Sequence, residues 1–361
     1  METNIFKVRD IEHGTAKLFF DESGTVDIQR YESSKYPIFQ KLLDKQQSFF
    51  WLPQEINMSK DAIDFKGFSE AQEHIFTSNL KRQILLDSVQ GRAPCITFGQ
   101  VVSDPALESL ITWWQASEVI HSQSYTHIIR NVYPNPSKVF DEMKDIREIV
   151  ELGDSVSVFY DDLLEKIRKL PYGDFETKRA LYRCLLSVNA LEQIRFHVSF
   201  ACTYSFAQQG LMTGSAKIIQ LIHTDELLHC GITTNLLKLL PKDDPDFERI
   251  AEEENQTAYD IYMDVHKQEK EWVEYLFSRG TMFGITQQEL EQYLDWLVGG
   301  CLRRMGLDFP ISIPKRQPLP WMRRYTDSRA EQVAPQESEI TSYESGNVSL
   351  DIDNTEIDFD F

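Results

Sequence analysis

Apolar residues recur along most of this chain with the 3.6-residue period of helices that bury one face. One such stretch runs from Ile38 towards Phe49, Phe50 and Trp51, where Pro53 stops it. The next opens at Ser69, which forms a capping box with Gln72, and ends at Gly91. At Asp104-Pro105 a cap is followed by proline in the first turn, and the pattern then continues to Pro134, enough for a helix of about 28 residues. Further helical patterns cover about 139–168, 175–209 with Gly210 as the stop, 215–240 with Pro241 as the stop, 245–278 and 286–305. The first 35 residues are mixed, and the alternation in Thr25-Val-Asp-Ile-Gln suits a short paired strand. No Gly-rich phosphate loop, strand–helix alternation or repeat period interrupts the pattern. The expectation is an all-α bundle of long helices over 36–325, an N-terminal extension over 1–35 and a tail over 326–361.

The tail stands apart by charge. The chain's 361 residues carry 37 Lys+Arg against 57 Asp+Glu, a formal charge of −20. Residues 326–361 hold ten acids and one base, Arg329, so a tenth of the chain carries nearly half of the excess. With its Ser, Asn, Asp and Glu and no apolar period, this segment reads as a disordered arm. The acidic balance disfavours nucleic acid and anionic lipid as partners. Hydrophobic residues make up 42% of the chain, enough for a large core, yet no apolar run approaches a membrane span. The cysteines (Cys95, Cys184, Cys202, Cys230, Cys301) are odd in number and far apart, which indicates neither a disulfide framework nor a zinc ribbon. With no signal sequence at the N-terminus, the expected location is cytoplasmic.

Chemistry is expected where acids and imidazoles fall on helical faces that should be buried. In Trp113-Trp114-Gln-Ala-Ser-Glu118-Val-Ile-His121-Ser-Gln-Ser-Tyr125, the residues Glu118, His121 and Tyr125 share an arc of ~60°. Leu221-Ile222-His223-Thr224-Asp225-Glu226-Leu-Leu-His229 repeats the spacing with Glu226 and His229. One Glu-x-x-His pair by itself is more often a helical ion pair. Here two further apolar helices each supply a lone acid, Asp87 and Glu192, giving four carboxylates and two imidazoles from four helices. That is the ligand pattern of carboxylate-bridged dimetal sites in ferritin-like bundles. Four carboxylates balance two divalent cations, with Glu118 and Glu226 placed to bridge, and the donor set suits iron or manganese. Tyr125, one turn beyond His121, is placed for one-electron oxidation, and Phe196, Phe200 and Ile222 offer a dry apolar wall.

Four stretches closely resemble the small (beta) subunit of class Ia ribonucleotide reductase: Gln83-Ile-Leu-Leu-Asp87-Ser-Val-Gln-Gly-Arg, Ser117-Glu118-Val-Ile-His121-Ser-Gln-Ser-Tyr125-Thr-His-Ile, Leu191-Glu192-Gln-Ile-Arg-Phe196-His-Val-Ser-Phe200 and Asp225-Glu226-Leu-Leu-His229. The resemblance implies one metal on Asp87, Glu118 and His121 and another on Glu192, Glu226 and His229. It implies two iron ions, for which manganese is the alternative, and a stable tyrosyl radical on Tyr125 formed with O₂ and an electron donor. Phe196, Phe200 and Ile222 match the radical pocket. Trp51 and Asp225 match residues that link the site, through His121, to the surface. Val333-Ala-Pro-Gln-Glu337-Ser-Glu-Ile-Thr-Ser-Tyr343 is similar to the family's tail segment, which casts Tyr343 as redox-active and Glu337 as its helper. The implied partners are a second copy of the chain and the large (alpha) catalytic subunit, docked through the tail. A ferroxidase bundle or a di-iron monooxygenase would share the ligands. The first has no need of Trp51 or the tail, and the second needs a substrate cavity where Tyr125 stands.

Overall fold

The structure, a computed structural model, describes residues 13–326 apart from 25 and 27. Glu337, Tyr343 and the rest of the expected tail beyond Thr326 therefore lie outside the described residues.

Nine longer helices dominate the described residues: α1 (Ile38–Ser48), α2 (Glu70–Gln90), α3 (Pro105–Val132), α4 (Arg147–Lys169), α5 (Phe175–Ala190), α6 (Phe196–Gln208), α7 (Thr213–Asp243), α8 (Asn255–Phe277) and α9 (Gln287–Arg304). Where a cap was legible, the boundary follows it. Ser69 and Gln72 close a reciprocal capping box at the start of α2, and the Asp104 side chain accepts from the Leu107 amide at the start of α3. The 28 residues of α3 extend for ~42 Å.

Four expectations need correction. The pattern over 139–168 divides into Pro136–Asp141 and α4, with a tight turn at Met143–Asp145 beside Glu142, whose carboxylate is drawn to Lys81 at 2.8 Å. The stretch 245–278 divides into Pro245–Glu253 and α8 at Glu254, which leaves helical geometry while its carboxylate pairs with Arg179 (2.9 Å) and Arg183 (2.7 Å). Pro241 does not stop α7, which continues to Asp243. A proline in a last turn removes one amide where the carbonyls are losing their partners in any case, so its cost there is small. Among the described residues there is no strand, and an isolated antiparallel bridge joins Phe19 to Val102; the strand expected over 25–29 includes residues 25 and 27, which lie outside the described residues.

The apparently continuous helix over 175–209 is the most informative departure. A π-helical turn, Leu191–Arg195, separates α5 from α6 and carries Glu192. Such a turn inserts a residue and rotates everything after it, and it occurs most often at functional positions.

Helix α2 packs on α3 and α6, and α7 packs on α3, α5 and α6, so α2, α3, α5–α6 and α7 surround one common interior. Leu18 and Phe19 also belong to this core, and the Leu18 amide donates to Asp243 Oδ2 (2.7 Å) at the end of α7. Asp61 fixes the other end of α7. Its carboxylate is fully buried and accepts from the amides of Gly214 (3.0 Å) and Ser215 (2.6 Å) and from the Ser215 hydroxyl (2.7 Å). This is a cap supplied from elsewhere in the chain, satisfying donors that the helix cannot. A side chain at Gly214 would meet Asn57 O at 2.7 Å, which is why the approach requires glycine. No helix among the described residues is long and apolar enough to cross a membrane.

Candidate metal centre

The four surrounding helices each turn acids or imidazoles inward. Asp87 comes from α2, Glu118 and His121 from α3, Glu192 from the π turn, and Glu226 and His229 from α7; all six are fully buried. Their ligand atoms form two overlapping clusters, each within 4.8 Å: Asp87, Glu118, His121 and Glu226, and Glu118, Glu192, Glu226 and His229. Glu118 and Glu226 belong to both, so each could serve both ions of a metal pair.

The imidazoles show which atoms face the cluster. His121 Nδ1 lies 3.2 Å from Glu118 Oε2 and 3.2 Å from Glu226 Oε1, while its Nε2 lies 3.1 Å from Asp225 Oδ2. His229 Nδ1 lies 3.1 Å from Glu118 Oε1 and 3.0 Å from Glu226 Oε2, and its Nε2 meets Ser117 Oγ at 3.0 Å. The Ser117 hydroxyl donates to Trp114 O, so at His229 it acts as acceptor. Both rings thus turn Nε2 outward and Nδ1 towards the cluster, the orientation in which Nδ1 could serve a metal.

Electrostatics identify what fits. Burial pushes the Asp87 and Glu192 pKa values well above the carboxylate range, and the neighbouring acids add to the rise. Burial opposes charge on the imidazoles as well, yet Asp225, Glu118 and Glu226 raise His121 well above its usual value, and Glu118 and Glu226 raise His229 to about 9. Glu226 moves the other way: burial would raise it, but His121 and His229 hold it low. The cluster draws in protons because it lacks positive charge. Both Asp87 oxygens, Glu192 Oε2 and Glu226 Oε1 are buried without a hydrogen-bond partner. An all-oxygen and imidazole donor set with orphaned carboxylate oxygens suits two divalent cations.

Around the ligands lies a set of supports that the sequence reading missed. Trp114 Nε1 donates to Glu118 Oε1 (2.9 Å), Gln90 Nε2 to Glu192 Oε1 (2.7 Å), and the Tyr160 hydroxyl to Gln90 Oε1 (2.8 Å). Trp114 stands four residues before Glu118 on one helix, so its period could have revealed it. Gln90, Tyr160 and Gln46 offered no such signal, since tertiary packing alone brings them in. Asp225 holds two further groups, with Gln46 Nε2 on Oδ1 and Trp51 Nε1 on Oδ2, both at 2.9 Å. The Trp51 and His121 rings lie 6.2 Å apart and nearly parallel.

Tyr125 is fully buried, and its hydroxyl makes no well-formed hydrogen bond. Burial, then the charges of Asp87 and Glu226, raise its pKa well above the phenol value, so it stays protonated. Phe196, Phe200 and Ile222 are also fully buried, and the two phenylalanine rings stack at 5.7 Å. An open cleft of about 620 Å³, lined in part by Ser88, Arg92, Gln123 and Arg130, reaches Asp87 from the surface.

The fold and site together define a helical bundle with a dimetal carboxylate centre. Residues 29–313 match the family model described as ribonucleotide reductase, small chain. The chain is 42% identical to ribonucleoside-diphosphate reductase 1 subunit beta of Salmonella typhimurium, over 94% of each chain. It is also 42% identical to the ribonucleoside-diphosphate reductase subunit beta of Haemophilus influenzae, again over 94% of each. A solved ribonucleotide reductase R2 subunit from Clostridium botulinum superimposes with a TM-score of 0.77 at 23% identity, covering 90% of this chain and 98% of that one. This chain belongs to the ribonucleotide reductase small-chain family.

Proposed function

We propose that the chain is the radical-generating small subunit of a ribonucleoside-diphosphate reductase. The carrying observation is the pair of overlapping donor sets sharing Glu118 and Glu226, with buried Tyr125 one turn from His121. Asp87, Glu118 and His121 would hold one ion and Glu192, Glu226 and His229 the other, iron being the first choice and manganese suiting the same donors. When bound, two redox-active ions supply the reduction of O₂ and the oxidising power to take an electron from Tyr125.

The chain's own residues do the rest. The Tyr125 hydroxyl, neutral and held close to Asp87, can release its proton towards the cluster as the electron leaves. The fully buried wall of Phe196, Phe200 and Ile222 keeps reductants away from the product. Asp225 orients His121 and joins it to Trp51, giving a continuous hydrogen-bonded path from the centre towards the surface. Tyr343 and Glu337 would extend this path to the large subunit, which a dimer of this chain meets through the acidic tail. There the oxidising equivalent starts reduction of a ribonucleotide to a deoxyribonucleotide. The family match favours this reading over a ferroxidase or a monooxygenase.

Mixing the metal-loaded, O₂-exposed chain with a large subunit tests the reading through deoxyribonucleotide formation. Turnover that disappears on deleting 326–361, with the radical intact, is the expected result; tight binding retained by the truncated chain would refute the docking role.

A further inference from the structure

A second connected set of polar and aromatic groups leaves the centre in a different direction from Trp51. His223 lies on α7, one turn before Glu226, and His197 on α6; both are buried. Their Nε2 atoms are 3.3 Å apart, and the hydroxyl of fully buried Tyr204 sits 3.1 Å from His223 Nδ1. Phe200 touches this group, with its ring centroid 4.9 Å from that of His223 and 6.1 Å from that of His197. On the far side the Tyr204 ring stacks on Tyr325 at 3.9 Å and 4°, and Trp321 stands edge-on to Tyr325 at 6.4 Å. Tyr325 and Trp321 are half-buried, and the Tyr325 hydroxyl accepts from exposed Gln208 at 2.7 Å. A ring-to-ring chain therefore runs from the wall of the Tyr125 pocket to the surface, next to the start of the acidic tail.

We propose that Tyr204, with His223 as its proton acceptor, forms a second one-electron path between a donor at Tyr325 and Trp321 and the oxidised Tyr125. The inference rests on the radical-generating reading above. Its physical basis is the Tyr204–His223 pair. A phenol loses an electron far more readily when its proton has somewhere to go, and a neutral imidazole at hydrogen-bond distance provides that. Burial, and then His197, keep His223 neutral, so its Nδ1 lone pair is available. With Nδ1 accepting, Nε2–H faces His197 Nε2, and the two imidazoles can share the transferred proton. A tyrosine that served packing alone would need neither histidine.

The Tyr125 radical gains one electron from Tyr204, takes back from the Asp87 side the proton it gave up there, and becomes a phenol. Tyr204 passes its hydroxyl proton to His223. A one-electron reductant at Tyr325 then returns an electron to Tyr204, and the proton comes back from His223. The net change is one donor oxidised by one electron and one Tyr125 radical reduced. Such a path would let a reductant reset a spent or misfired centre without opening the dry pocket.

The test follows loss of the Tyr125 radical after anaerobic mixing of the metal-loaded chain with reduced methyl viologen, by stopped-flow absorption and electron paramagnetic resonance. Tyr204→Phe and Tyr325→Phe both keep their rings, and the second alters only a surface hydroxyl. Each is expected to form the radical with wild-type yield and line shape and to lose it roughly tenfold more slowly than the wild type. Unchanged loss in either variant would overturn the path. A wild-type chain that forms no Tyr125 radical would instead overturn the functional reading, and the path with it.

Discussion

Trp51→Phe separates radical formation from radical transfer. The substitution keeps a ring beside His121 and removes one donor, the indole N–H that meets Asp225 Oδ2 at 2.9 Å. Asp225 Oδ2 retains His121 Nε2 and Oδ1 retains Gln46, so no carboxylate oxygen is stranded. A hydrogen bond to a charged group contributes ~2 kcal/mol. At ~2.1 cal/mol/K per residue, that loss lowers the melting temperature of a chain this size by roughly 3 °C. The six ligands are untouched, so metal content and radical yield should match the wild type in metal analysis and electron paramagnetic resonance. Deoxyribonucleotide formation with a large subunit should fall to background, because the link from His121 to the surface is cut. Near-normal turnover in the variant would refute the route through Trp51, and a lost radical would show that Trp51 supports the centre itself.

Three other outcomes follow from particular contacts. His197 is fully buried with a pKa lowered to about 4, by burial above all. A base with a depressed folded pKa gives stability that is present above its unfolded value, ~6.5, and is lost as the pH falls through the folded value. The wild type should thus lose ~3 kcal/mol more than His197→Gln between pH 7 and 4, read from urea midpoints; parallel pH profiles would contradict this. Asp61→Ala strips three buried donors at the start of α7 of their acceptor, and should cost ~3 kcal/mol and weaken metal retention by loosening the helix that carries Glu226 and His229. Calorimetry that shows no loss would contradict the capping role. Asp87→Asn removes a carboxylate that burial and Glu118 make costly, so the metal-free protein should become more stable in thermal melts while binding of the metal pair collapses. A variant that binds two equivalents of metal normally would remove Asp87 from the ligand set.

Helix starts were legible where a side chain in the same helix closes the end, as at Ser69 and Asp104, because capping is local chemistry. The apolar pattern starts α7 two residues late, since its cap, Asp61, comes from a distant part of the chain. The breaks beside Glu142 and Glu254 fall where these carboxylates meet Lys81, Arg179 and Arg183 from distant parts of the chain, and the π turn at Leu191–Arg195 leaves no mark in the period. The six inward-facing acids and imidazoles could be picked out because a charge inside an apolar helix demands a partner. Their supports, Gln90, Tyr160, Gln46 and Ser117, are ordinary polar residues until packing places them. The pairing of His197 with His223 was likewise hidden: each sits in an apolar stretch, on different helices, and only the packing of α6 against α7 joins them.

The central claim is that six buried side chains hold two metal ions next to an oxidisable tyrosine. Anaerobic titration of the metal-free chain with ferrous iron, followed by O₂ and electron paramagnetic resonance, tests it most directly. The account predicts saturation near two irons per chain and a long-lived tyrosyl signal that is absent from Tyr125→Phe, which still binds both irons. Saturation at one iron or none, or a tyrosyl signal unchanged in Tyr125→Phe, would contradict it.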